Sequence, residues 1–359
     1  MTRRFRIGYR GETAAPEVLD LVDRISDRLR AREAGLPESS LGSLFTTVRD
    51  TREIRTRDGV LELRVTRRCN ESCPFCNSLP YADNQVDGPE MVARAIRAAS
   101  GSGVLQVVFT GGEPTLEPGL GTWIRLARDL GLRTTVQTNG ILPGRLDWWE
   151  ALRDSEGRPA LPDSLLVSWH TRRPARLATL TGVSGTMDAK TAAVRTALNL
   201  GLEVSLNLVI STLNLDELAG FPAFVARAFG RRARLVLSVV APTGRAARRP
   251  DLWPDPADLV PRLRRALDSA RRHDVSASIP EACGVPICAL PDRATSFLAA
   301  SRTTPIPEAL PDHVKPATCR ECPLDATCIG IWKAYAERFG TSWLVPVPKS
   351  PAVSGRDEP

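Results

Sequence analysis

Three cysteines, Cys69, Cys73 and Cys76, stand in the run Arg68-Cys69-Asn70-Glu71-Ser72-Cys73-Pro74-Phe75-Cys76-Asn77, directly after a short apolar segment, Leu61-Glu62-Leu63-Arg64-Val65. Thiolates at this Cys-x3-Cys-x2-Cys spacing fit one loop and can hold an iron-sulfur cluster with one iron left without a protein ligand. A closed structural site would want a fourth ligand close by, and the next cysteine in the chain is Cys283. A second candidate, Thr110-Gly111-Gly112-Glu113-Pro114, follows the next apolar run and joins close-approach glycines to a carboxylate. Weaker polar candidates end later apolar runs: Thr138-Asn139-Gly140, Ser168-Trp169-His170, and Asn207 within its own run. Asn139 serves equally as a turn residue, and His170 reads as a satisfied core histidine.

The elements that must position these residues are legible from alternation. From Leu61 onward, β-branched apolar runs alternate with longer amphipathic segments, the pattern of βα units feeding a parallel sheet. Strands are expected at 61–66, 104–110, 133–138, 164–170, 203–210 and 234–240. Six such strands make the fold class α/β, a partial (β/α)6 TIM-like barrel. Gly131 and Gly201 each end a helix before a strand, and Thr186 is expected to cap the segment from Met187 to Leu200, to which no chemistry is assigned.

Around this core, residues 1–57 form a short N-terminal region with a helical pattern from Pro16 to Glu33, read as a cap on the barrel with recognition of a partner as the alternative, and residues 58–245 form the barrel core. Residues 246–280 supply a linking helix from Pro254 to Arg272 and a strand at 275–279. Residues 281–359 form a small cysteine-rich C-terminal extension, too loop-rich to carry a core of its own.

Composition narrows the class. The chain has 359 residues, 42% of them hydrophobic, enough for a large core. Of 48 basic residues only four are lysines, at 190, 315, 333 and 349; the arginines are spread along the chain, so the net charge of +7 reads as a compositional bias and a nucleic-acid partner is not expected. No stretch approaches the roughly 20 apolar residues that cross a bilayer. The basic N-terminus lacks the apolar core of a secretory signal, so a cytoplasmic protein is expected. In that compartment eight cysteines argue for metal ligation over disulfides.

The cysteine triad with Phe75 before its last member, followed one strand later by Gly111-Gly112-Glu113-Pro114, resembles the signature of the radical S-adenosylmethionine (SAM) superfamily over roughly residues 58–245. The resemblance implies that Cys69, Cys73 and Cys76 bind a [4Fe-4S] cluster whose open iron is chelated by SAM. It implies that reductive cleavage of SAM to a 5′-deoxyadenosyl radical is followed by abstraction of a hydrogen atom from substrate, the cofactors carrying the hard chemistry. Gly111, Gly112 and Glu113 would hold the SAM amino group, Phe75 would lie near the adenine, and Ser168, Asn139 and Asn207 would hydrogen-bond the cofactor. A reducing partner such as flavodoxin or ferredoxin is implied.

The spacing Cys319-x2-Cys322-x5-Cys328 resembles the start of the auxiliary-cluster (SPASM) extension of peptide-modifying members, departing from it where Trp332 stands in place of a further cysteine. Cys288, Cys319, Cys322 and Cys328 complete one set of four ligands for a second [4Fe-4S] cluster, with zinc as the alternative occupant and Cys283 as a spare ligand. The expected substrate is a ribosomally made peptide; a sugar, nucleoside or other small metabolite is the alternative, and an iron-sulfur redox-sensing module is the non-enzymatic reading.

Overall fold

The computed structural model describes residues 5–7, 54–57, 59–77, 89–280, 285–297 and 312–347. Its centre is one open nine-stranded sheet in sequence order. Two short strands, β1 (Phe5–Ile7) and β2 (Ile54–Arg57), join antiparallel to β3 (Val60–Thr66). From β3 onward all neighbours are parallel: β4 (Gln106–Gly111), β5 (Arg133–Thr138), β6 (Ser164–Ser168), β7 (Glu203–Ile210), β8 (Ala233–Val239) and β9 (Ala277–Ser278).

Helices fill the crossovers between these parallel strands, as parallel pairing requires. They are α1 (Pro89–Ala99), α2 (Leu120–Asp129), α3 (Leu146–Ala151), α4 (Leu177–Thr181), α5 (Met187–Asn199), α6 (Phe221–Phe229) and α7 (Pro256–Arg272). The six expected strands are all present, within one or two residues of their expected ends. The N-terminal region differs from expectation by contributing β1 and β2 to the sheet edge; the helical pattern from Pro16 to Glu33 lies outside the described residues, as does Cys283.

Alternation along each strand decides which side chains face the helices. On β7, Val204, Leu206, Leu208 and Ile210 are buried while Ser205, Asn207 and Val209 are half-buried on the other face. The opposite face of the sheet is correspondingly polar. Gln106 Nε2 donates to Thr135 Oγ1 at 2.5 Å, Thr135 and Ser164 share a hydroxyl bond of 2.6 Å, and Thr110 Oγ1 donates to Gln137 Oε1 at 3.1 Å. On the helix side, Trp169 packs between Phe224 and Phe229 with centroid distances of 5.7 and 5.2 Å. Gly131 and Gly201 stop their helices at φ +76° and +83°, as left-handed caps do. Thr186 holds the N-cap position of α5, but its hydroxyl makes no capping bond.

The C-terminal segment is a two-stranded antiparallel pair, β10 (His313–Val314) and β11 (Ile331–Trp332), followed by α8 (Lys333–Phe339). It is anchored on the barrel by Tyr335, buried and stacked on Trp253 at 5.6 Å, whose hydroxyl donates to the Val240 carbonyl at 3.3 Å. Among the described residues no helix is long and apolar enough to cross a membrane.

Candidate active site

The cysteine loop, residues 67–77, leaves the C-terminal end of β3, where parallel α/β sheets of this kind build their sites. It is fastened at three places. At its root, Gly112 N donates to Thr66 O and Glu113 N to Arg68 O, both at 2.7 Å. This docking is why two glycines stand there. A Cβ on Gly111, which has φ +138°, would lie 2.2 Å from Thr66 O, and one on Gly112 would lie 2.1 Å from Arg68 O.

At its middle, Ser72 N donates to Thr181 O at 2.7 Å and Asn139 Nδ2 donates to Asn70 Oδ1 at 2.6 Å. At its far end, Arg245 N donates to Cys76 O at 2.9 Å and an Arg245 guanidinium nitrogen to Cys73 O at 3.3 Å. Gly244, at φ +58°, lets that turn approach, since a Cβ there would meet Cys76 O at 2.6 Å. The turn after β8 is therefore part of the site, a role that the sequence reading did not assign to it.

Glu113 is buried, and its carboxylate is turned into the protein. Oε1 accepts from Thr115 N, Thr115 Oγ1 and Thr138 Oγ1 at 3.1, 2.5 and 2.7 Å, and Oε2 accepts from Asn139 N at 2.6 Å. Burial pushes its pKa up while these donors pull it back. Through Asn139, Glu113 fixes the residue that reaches across to Asn70 in the cysteine loop.

Phe75 is buried and meets the ring of His170 edge-on at 4.9 Å, wedging the loop into the barrel. His170 lies in the core as the sequence suggested: its Nδ1 accepts from Val209 N at 3.3 Å, and burial, reinforced by the Lys190 cation, lowers its pKa to about 3. Asn207 Oδ1 accepts from Ser238 Oγ at 2.8 Å, and Ser168 lies beside Asn207 on the neighbouring strand.

The three thiols share one electrostatic environment. Cys73 and Cys76 are half-buried; Cys69 is solvent-exposed yet crowded by protein, and desolvation pushes its thiol up to about 11, with Glu113, Glu71 and Cys76 adding to the rise. Cys73 is also raised, by burial first and then by Glu71 and the two other thiols, while Lys190 lowers it. Raised thiols that stand together are an unfavourable place for protein charge alone and a favourable one for a cationic iron core, which takes up their negative charge.

Lys190 itself escaped the sequence reading. It lies in the first turn of α5, in a segment given no chemistry, yet it is buried against the cysteine loop.

The C-terminal cysteines also converge. Cys288, Cys319, Cys322 and Cys328 line a single small cavity with Lys315, Leu324 and Asp325. Burial pushes the Cys288 thiol up to about 12, followed by the effects of Cys328, Cys319 and Cys322. Gly330 N donates to Cys328 Sγ at 3.3 Å, a bond suited to a thiolate. Trp332 packs on His313 at 4.2 Å between ring centroids, outside that cavity lining. Among the described residues no three His, Cys, Asp or Glu side chains are gathered closely enough to hold a single metal ion. A cluster asks for less, because its cysteines bind different irons and stand farther apart.

Fold and site together define an α/β protein with a three-cysteine loop at the strand ends. Residues 63–224 match the radical SAM superfamily. Members of that superfamily use a [4Fe-4S] cluster and SAM.

Among curated proteins, a probable GTP 3′,8-cyclase of Metallosphaera sedula is 34% identical over 161 residues, 44% of this chain and 48% of the relative. A PqqA peptide cyclase of Ruegeria pomeroyi is 32% identical over 159 residues, 43% of this chain and 40% of the relative. The matches therefore span less than half the length of either relative. Among solved structures, Streptococcus suis SuiB bound to S-adenosylmethionine has the same fold at a TM-score of 0.51 and 19% identity, covering 62% of this chain and 52% of that one.

Proposed function

We propose that this protein is a radical SAM enzyme that modifies a ribosomally made peptide. The observation that carries the reading is the cysteine loop, held at the strand ends by Gly111-Gly112, by Asn139 and by Arg245, with its three thiols presented together. When bound, the cluster and SAM would supply one-electron cleavage and hydrogen-atom abstraction from an unactivated carbon. The chain's own part is to hold the cluster through Cys69, Cys73 and Cys76 and to orient SAM. We assign the SAM ammonium to the Gly111-Gly112-Glu113 segment, whose Glu113 carboxylate is held in place by Thr115, Thr138 and Asn139. Ser168 and Asn207, on the polar face of adjacent strands, are placed to hydrogen-bond the cofactor or the substrate.

The peptide reading draws on the similarity to PqqA peptide cyclases and on the C-terminal cysteine cavity, to which we assign a second [4Fe-4S] cluster held by Cys288, Cys319, Cys322 and Cys328. A nucleotide substrate is the second reading, favoured by the similarity to GTP 3′,8-cyclases. The two alignments cited each cover less than half of this chain, 44% and 43%, so the choice between them falls on what lies outside the shared part. We assign reduction to a flavodoxin or ferredoxin and place the reaction in the cytoplasm.

The test is anaerobic turnover of reconstituted protein with SAM and dithionite, offered in parallel short peptides encoded beside its gene and GTP. A mass change in a peptide, with 5′-deoxyadenosine formed in step, is expected. Modification of GTP and of no peptide would replace the leading reading by the second.

A further inference from the structure

Lys190 is 1% exposed and lies in the first turn of α5, where the helix dipole works against a cation. Its ammonium carries three donors and meets three oxygens. Nζ stands 2.8 Å from Glu71 Oε1, donates to Asn139 O at 2.5 Å and reaches Ser168 O at 3.4 Å. Asn139 follows β5 and Ser168 ends β6, so one side chain ties two strand ends to the cysteine loop. Glu71 stands between Cys69 and Cys73 in the chain and is as secluded, its side chain only 3% exposed. Its second oxygen, Oε2, lies 3.7 Å from Cys73 Sγ, and its backbone N donates to Cys69 Sγ at 3.4 Å.

A carboxylate set against two prospective thiolate ligands is repulsive unless a cation accompanies it. Attraction within a buried ion pair repays its desolvation at best in part, so a gain in stability is a weak reason for placing this pair here.

We propose that the Lys190–Glu71 pair is a positioning device for the cluster loop and sets the charge that the cluster senses. The proposal rests on the radical SAM reading and adds to it two residues that act through the loop. Reduction adds negative charge to a cluster, so a nearby cation makes reduction easier and a nearby anion makes it harder. Removing one member of the pair unmasks the other, and the two single variants must therefore move the cluster in opposite directions. A residue that only props up the loop has no reason to do so.

The experiment is an EPR-monitored redox titration of anaerobically reconstituted full-length protein, following the cluster whose signal responds to SAM. Lys190→Met, which leaves Glu71 unpaired, is expected to lower the midpoint potential. Glu71→Gln, which leaves Lys190 unpaired, is expected to raise it, and Lys190→Met with Glu71→Leu is expected to return it close to wild type. Single variants that load iron fully and show no shift, or shift in the same direction, overturn the proposal.

If a single variant fails to load, the double variant decides: recovered iron content supports the pair as a matched unit, and continued failure overturns it. Wild-type protein that takes up no SAM-responsive cluster would instead defeat the radical SAM reading on which this rests.

Discussion

Gly112→Ala probes the join between the two motifs. The new Cβ would stand 2.1 Å from Arg68 O and 2.6 Å from Arg67 O, where ordinary contact begins near 3.4 Å. Relief needs a backbone movement of about 1 Å, because no flexible side chain is there to swing away. That movement pulls Arg68 O from Glu113 N, a bond of 2.7 Å, and displaces the adjacent Cys69.

Overpacking of this kind costs about 1–3 kcal/mol and the strained or lost hydrogen bond about 1 more, so a loss of about 2–4 kcal/mol is expected. Denaturant unfolding of the apoprotein reads the energy, and iron and sulfide per chain after reconstitution read the displaced ligand. Gly131→Ala is the control: φ is +76° there and nothing lies within 4 Å, so only about 1–2 kcal/mol of left-handed strain applies and iron loading stays normal. A Gly112→Ala protein within about 0.5 kcal/mol of wild type and fully loaded with iron would refute the argument.

Other outcomes follow from burial and charge. His170 has a pKa of about 3 in the fold against 6.5 when exposed, so the unfolded chain binds the proton first and stability falls as pH drops through that window. The slope is up to about 1.4 kcal/mol per pH unit, or about 3 kcal/mol between pH 7 and 4, and His170→Asn, compared with wild type by denaturant titration, should remove that part of the acid sensitivity. Cys319→Ala with Cys322→Ala should lower iron and sulfide by the content of one cluster and leave the SAM-responsive EPR signal in place. Zinc in wild-type protein that this pair of substitutions removes would assign the C-terminal cavity to zinc instead.

The chemistry that reads well from the sequence is chemistry that is local in the chain. Cys69, Cys73 and Cys76 announce themselves because one loop holds all three, and the strands around them show because each alternates over its own few residues. What escaped is made of residues far apart. Lys190 sits 119 positions beyond Glu71, and in its own helix it breaks the apolar pattern without any sign of its partner. Gly244 and Arg245 show no local sign of a role because their contacts, Cys73 and Cys76, lie on the loop after the first parallel strand while they follow β8. Gly111 and Gly112 were visible as a motif, but the backbone they had to accommodate, that of Thr66 and Arg68, appears only once β3 and β4 are paired. The edge strands β1 and β2 were missed because three and four residues are too few to show a period.

The most direct test of the central claim is EPR of the dithionite-reduced, anaerobically reconstituted protein with and without SAM. A [4Fe-4S] signal that SAM alters is expected, absent from the variant carrying Cys69→Ala, Cys73→Ala and Cys76→Ala. A signal indifferent to SAM, or one that survives loss of those three cysteines unchanged, would contradict that claim.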